Sequence, residues 1–251
     1  MREPFYQNKV VWITGASSGI GEALAHQLSM RGAKLALSGR NIEALNKLKN
    51  ALTTEANIYA FDVADKKATC DTVDAIIRDF KKIDLAILNA GISQHADLES
   101  FASSFEPLMQ VNVLGPVYAI DALLKIFLPI NKGHIATISS LASLGGLPKA
   151  AAYCASKSAL KAIFESLQID LSKTNIKTSI IFPGFIKTPL TDKNDFKMPF
   201  LMSAKKAAKI MADRLAKEEP QIYFPRFFAF MIRAVNLLPN FLYVKLMSRL
   251  R

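Results

Sequence analysis

The chain has 251 residues, 51% of them apolar and 21% charged, with a formal net charge of +11. That length admits one large α/β domain, and that apolar share supplies a core and excludes a largely disordered chain. The positive balance predicts anionic partners, but the basic residues run through helical segments such as Lys205, Lys206 and Lys209 without an aromatic nucleic-acid motif, so no nucleic acid is expected.

The N-terminal MREPFYQNKVVWITGAS carries only a short apolar run, and neither a signal peptide nor an N-terminal anchor is expected. Strands are predicted at 10–14 (VVWIT), 34–38, 58–61, 85–89, 134–139, 176–182 and 221–224. Helices are predicted between them at 19–31, 41–52, 66–80, 104–128, 151–173 and 203–217, with Pro107 and Pro116 marking a late start or a bend in the fourth. This alternation predicts a doubly wound, mostly parallel seven-stranded sheet with helices on both faces. No linker divides it, so residues 1–224 form one unit and 225–251 an extension.

Cys70 and Cys154 have neither metal-ligand nor disulfide spacing and read as reduced thiols of a cytoplasmic protein. His26, His95 and His134 are isolated in sequence, so no metal is expected.

In VVWITGASSGIG, Gly15, Gly19 and Gly21 follow the first strand and open the first helix. Glycine there allows a sharp turn and close backbone approach, and the helix start offers free N–H groups to a pyrophosphate. The spacing is GxxxGxG and departs from the GxGxxG fingerprint. Arg40 follows the second strand, where an acidic residue would bind both ribose hydroxyls; an arginine suits a 2′-phosphate and favours NADP(H). Asp62 after the third strand is placed for the adenine edge, and Asn89 and Gly91 close the fourth strand on the cofactor side.

Tyr153 and Lys157 stand four apart in AAYCASKSAL, on one face of a predicted helix. Moving a phenol from about 10 toward 7 takes about 4 kcal/mol, the order of attraction from a cation about 4 Å away at an effective dielectric of about 20. Lys157 is therefore expected to lower the Tyr153 pKa, and its long stem reaches toward ribose hydroxyls. Ser140 is placed to hydrogen-bond a substrate carbonyl oxygen, and Asn112 to support a water path toward Lys157.

These segments, TGASSGIG (14–21), LNAG (88–91), VNVLG (111–115), ISS (138–140), YCASK (153–157) and PGFIKT (183–188), together resemble the short-chain dehydrogenase/reductase family over residues 8–224. The resemblance implies a catalytic tetrad of Asn112, Ser140, Tyr153 and Lys157. It implies NADP(H) contacts from Gly15, Ser17, Ser18, Gly19, Ile20 and Gly21 in the turn, and from Arg40, Asp62, Val63, Asn89, Ala90 and Gly91 at the next strand ends. Tyr153, Lys157, Pro183, Gly184, Ile186 and Thr188 complete that set. It further implies hydride transfer to a carbonyl or from an alcohol, and a homo-dimer or homo-tetramer built on the helices near 104–128 and 151–173. A nucleotide-binding scaffold at a membrane, without turnover, is the competing reading.

Residues 189–202, rich in apolar side chains, are expected to form a substrate lid, with a connection packed on the core as the alternative. The last 31 residues hold five Lys or Arg, seven Phe or Tyr and no acid. Helices are predicted at 226–238 and 241–250; neither is long enough to span a bilayer, and the composition suits a helix lying on an anionic membrane. A lipidic substrate fits that placement, and a flap or oligomer interface is the alternative use of the segment.

Overall fold

The computed structural model describes residues 5–94 and 101–250; the isolated His95 lies outside them. Seven strands form one sheet: β1 (Val10–Thr14), β2 (Lys34–Gly39), β3 (Ala56–Ala60), β4 (Leu85–Leu88), β5 (Gly133–Ile138), β6 (Ile176–Pro183) and, last in sequence, β9 (Gln221–Phe224). A separate two-stranded ribbon pairs β7 (Ile186–Lys187) with β8 (Met202–Ser203). The sheet order is β3-β2-β1-β4-β5-β6-β9 and every pair is parallel. The chain winds outward from β1 to β3, then restarts at β4 on the other side of β1. That reversal leaves a crevice beyond the C-terminal ends of β1 and β4, where ligands of open α/β sheets bind.

β1 is buried along its whole length, which is why it reads as a continuous apolar run. Its side chains alternate between two cores: Val11 and Ile13 face one layer, Val10 and Trp12 the other. The first layer holds α1 (Gly19–Ser29), α2 (Ile42–Asn50) and α7 (Ala204–Leu215), through Leu24, Leu45 and Met211. The second holds α3 (Lys66–Phe80), α5 (Gly115–Ile130) and α6 (Ala151–Asp170), through Ile76, Leu123 and Phe164. Local caps set the starts: Asn41 accepts from the Ala44 N–H and Asp65 from the Ala68 N–H, both at 2.9 Å.

The chain is already helical at Phe101, ahead of Pro107 and Pro116, so neither proline marks a late start. α4 (Phe101–Met109) passes through a π-helical segment at Gln110–Leu114 directly into α5. Pro107 sits on the exposed side of α4, and Pro116 follows the π-helical segment, where the regular hydrogen-bond ladder is already interrupted. This run from Phe101 to Ile130 is long and apolar enough to cross a membrane by composition, yet Leu108, Leu123 and Phe127 are fully buried against the protein. β3 starts two residues before its predicted position, and β7 and β8 have no counterpart in the sequence reading. After β9 come α8 (Arg226–Asn236), α9 (Asn240–Met247) and a 3₁₀ turn to Leu250.

Candidate active site

The glycine turn is built by close approach. Gly15 and Gly19 have φ of +65° and +60°, a region that disfavours side chains. A Cβ on Gly21 would lie 2.7 Å from Asn89 Nδ2 and would also run into the Gly15 carbonyl. Asn89 Nδ2 donates to the Thr14 and Gly15 carbonyls at 3.0 Å, and Thr14 Oγ1 accepts from the Asn89 and Ala90 N–H groups at 3.0 and 3.1 Å. The ends of β1 and β4 are thus stitched together, and Asn89 acts as their brace. Ser18 is the N-cap of α1 but makes no side-chain capping bond. Uncapped N–H groups and the positive end of the helix dipole therefore line the cleft at Ser18, Gly19 and Ile20, an arrangement that fits a pyrophosphate.

That cleft has a volume of about 290 Å³. It brings together Gly15, Ser17 and Arg40 at one end, Asp62, Val63, Asn89, Ala90 and Gly91 in the middle, and Ser140, Tyr153, Lys157, Pro183, Gly184, Ile186 and Thr188 at the other. Gly21 and Asn112 are packed behind its wall. Arg40 is 71% exposed and forms a 3.6 Å ion pair with Asp62, so two residues assigned separate nucleotide contacts also meet each other. A pair this exposed contributes little to stability and leaves the guanidinium available to an anion.

α6 presents Tyr153 and Lys157 to the cleft, and the Lys157 ammonium lies 5.9 Å from the Tyr153 ring centre. Lys157 Nζ donates to the Ile138 carbonyl at 2.9 Å, and burial lowers its pKa to about 8. The Tyr153 pKa moves up: burial outweighs the lowering hydrogen bond from Ser140. The sequence reading had the opposite direction, with Lys157 pulling the phenol down. It omitted the desolvation that acts on both groups, and here the nearest partner of the ammonium is a carbonyl oxygen.

Ser140 Oγ also accepts from the Ala142 N–H at 3.1 Å, which fixes the serine at the start of a 3₁₀ turn. Neighbouring Ser139 points elsewhere, donating to the Lys157 carbonyl at 3.1 Å. Asn112 is fully buried in the π-helical segment. Its Oδ1 accepts from the Ile92 N–H at 2.8 Å, and its Nδ2 donates to the Ile92 carbonyl at 2.9 Å and to Ser156 Oγ at 3.1 Å. It therefore clamps the loop after β4. A Cβ on Gly91 would lie 3.2 Å from Asn112 Oδ1 and 3.4 Å from Lys157 Nζ, so both side chains converge there.

Ile92 also lines the cleft and has no forewarning in the sequence, whereas Val111 belongs to the VNVLG segment and Leu190 to the apolar 189–202 interval. Thr191 is a further brace: it donates to the Ile186 carbonyl at 2.6 Å and accepts from the Thr188 N–H at 3.0 Å. The connection 189–202 is tied at its base by β7 and β8 and by Met202 N–H donating to the Phe185 carbonyl at 3.0 Å. The tail reaches the same region, with Phe228 against Gly184 and Tyr243 donating to the Gly146 carbonyl at 2.6 Å.

The short chain dehydrogenase family model matches residues 9–198. An uncharacterized oxidoreductase of Myxococcus xanthus is 33% identical over 255 residues, covering 100% of both chains. A short chain dehydrogenase/reductase from Burkholderia phymatum, solved in complex with NAD, superposes with a TM-score of 0.84 at 26% identity, over 93% of this chain and 94% of that one. An alcohol dehydrogenase from the archaeon Thermococcus sibiricus, complexed with 5-hydroxy-NADP, gives a TM-score of 0.77 at 25% identity, over 86% and 94%. With the parallel seven-stranded sheet, these matches establish that the chain belongs to the short-chain dehydrogenase/reductase family of oxidoreductases.

Proposed function

We propose that the protein is an NADPH-dependent carbonyl reductase, with residues 1–224 as the cofactor-binding and catalytic unit. The observation that carries this reading is the lining of one cleft by Ser140, Tyr153 and Lys157 together with the glycine turn. Arg40, exposed beside the turn, supports the preference for a 2′-phosphate. NADPH, when bound, supplies the hydride that reduces the carbonyl carbon.

Tyr153 delivers the proton to the substrate oxygen in reduction and removes it in the reverse direction. Its raised pKa keeps the phenol protonated at neutral pH, the form a proton donor needs. Ser140 donates a hydrogen bond to the same oxygen and stabilises the charge that develops there. Lys157, with a pKa of about 8, is mostly cationic at pH 7 and holds positive charge beside the phenol. Asn112 acts at one remove by fixing the loop at Gly91 and Ile92.

Leu190, Phe196 and Phe200 on the 189–202 connection favour a hydrophobic substrate. Exposed Leu128, Ile130 and Ile169 at the ends of α5 and α6 support self-association through those helices, as a dimer or tetramer. Residues 225–251 extend the reading to a cytoplasmic protein held peripherally on an anionic membrane surface.

The test is NADPH consumption followed at its absorbance band across a panel of aldehydes and ketones, with Tyr153→Phe alongside. Turnover is expected with apolar carbonyls and to fall at least about a hundredfold in the variant, the usual range for a lost acid–base group. Equal turnover by the two proteins overturns the assignment of Tyr153.

A further inference from the structure

Helix α8 is apolar on two opposite sides. Inward, Ala229 is buried and the Phe228 ring lies 6.0 Å from that of Phe185. Outward, Phe227, Phe230 and Leu237 are 64%, 69% and 86% exposed. At 100° per residue these three share one arc, with Arg226 and Arg233 along its edge. α9 continues the pattern with Phe241 and Val244 exposed. A helix apolar on two sides buries only one of them here, and contiguous exposed aromatic and aliphatic side chains mark an interaction surface.

Charge selects the occupant. Arg226, Arg233, Lys245 and Arg249 are all exposed, and the last 31 residues contain no Asp or Glu. An apolar face with a basic fringe matches hydrocarbon beneath acidic headgroups. A second copy docked on the same face through a two-fold axis would bring two basic sets together with no acidic side chain from either tail.

This face also lies at the substrate end of the cleft. The Phe228 ring abuts Gly184 in the cleft wall and lies 5.4 Å from Phe200, which in turn is 6.0 Å from exposed Phe227. Aromatic surface therefore runs from the cleft wall to the outward side of α8. Tyr243 grips the Gly146 carbonyl, and Asn236 fills the space beside Gly145, both on the loop between Ser140 and Tyr153.

We propose that α8, α9 and the 189–202 connection seat the substrate end of the cleft on an anionic bilayer, so that a carbonyl borne by a membrane-resident lipid enters from the hydrocarbon side. Docking stands on the tail itself; the choice of substrate rests on the reductase reading above.

The experiment uses the full chain with vesicles of phosphatidylcholine alone or mixed equally with phosphatidylglycerol, read by flotation and by amide hydrogen exchange. Flotation is expected with the mixed vesicles, together with slowed exchange in 189–202 and 226–247 and unchanged exchange in 17–21. Phe230→Glu with Leu237→Glu is expected to lower the bound fraction at least about tenfold. NADPH fluorescence titration verifies that this variant keeps its cofactor site, and the exchange pattern of the unsubstituted chain decides the matter even if the variant does not fold. Failure to float, or flotation without protection of 189–202, overturns the proposal. A dimer that dissociates on the double substitution and ignores vesicles overturns it in favour of self-association. Vesicle protection without NADPH binding supports docking while removing the reductase reading.

Discussion

Lys157 Nζ donates to the Ile138 carbonyl at 2.9 Å from a buried position in the cleft wall, joining α6 to the end of β5. Burial lowers its pKa from 10.5 to about 8, so folding at neutral pH carries the cost of desolvating an ammonium. Below pH 8 both folded and unfolded chains hold the proton and the full cost applies. Between 8 and 10.5 the unfolded chain binds more protons, so stability rises with pH. The shift corresponds to roughly 3 kcal/mol, offset by about 1 to 2 kcal/mol of hydrogen bond. Lys157→Met is expected to melt no lower than the original protein at pH 7, and any advantage should shrink from pH 8 to 10. Thermal melts of both proteins across that range check this; a constant difference contradicts the buried-charge account.

Asn112 satisfies both backbone groups of Ile92 and meets Ser156 from a site without solvent. Asn112→Leu keeps most of the volume and strands the Ile92 N–H and carbonyl. At about 1 to 3 kcal/mol for each unpaired group, a loss of roughly 2 to 6 kcal/mol is expected by urea unfolding, toward the lower end because Ile92 is only half-buried. Exchange of the Ile92 amide should rise in step, and a variant as stable as the original would show that the clamp is dispensable.

Gly21 has no room for a side chain: the Gly15 carbonyl and Asn89 Nδ2, at 2.7 Å, occupy the place of a Cβ. Both atoms belong to the stitch between β1 and β4, so neither yields without opening the turn. Gly21→Ala is therefore expected to cost about 1 to 3 kcal/mol, the range for overpacking, and to weaken NADPH binding at least about tenfold. Fluorescence titration at a temperature where the variant remains folded separates the two effects. Unchanged affinity would mean that the turn does not set the cofactor site.

Much of this arrangement was legible because parallel strands buried on both faces are continuous apolar runs, as β1 shows. The start of β3 was not, since Ala56 and Asn57 are poor strand formers, and two-residue β7 and β8 are too short to carry a period. The prolines suggested a late start or a bend, but Pro107 faces solvent and Pro116 follows a π-helical segment that no local spacing announces. Within the site, unusual residues announced themselves: glycines in a run, and a phenol four residues from an ammonium. Ile92 did not, because an apolar side chain lining a cleft looks in sequence like one in a core. The direction of the Tyr153 shift was also hidden, since desolvation is set by packing that no local spacing reveals.

In the proposed reading Arg40 selects NADPH over NADH, and its only described ion-pair partner is Asp62 at 3.6 Å. Both side chains are substantially exposed, so breaking that pair costs at most about 1 kcal/mol, while a hydrogen bond from arginine to a phosphate is worth about 1.5 to 3 kcal/mol. Arg40→Ala is accordingly expected to raise the Kd for NADPH about 10-fold to 100-fold and to leave that for NADH within about threefold, with no comparable change in melting temperature. Arg40→Asp should go further, repelling the 2′-phosphate and offering a carboxylate to a free ribose, so that NADH becomes the tighter ligand. Equilibrium fluorescence titration with both cofactors reads each variant without a known substrate. If the original chain binds NADH as tightly as NADPH, or if Arg40→Ala weakens both equally, then Arg40 does not read the 2′ position and the assignment of NADPH fails.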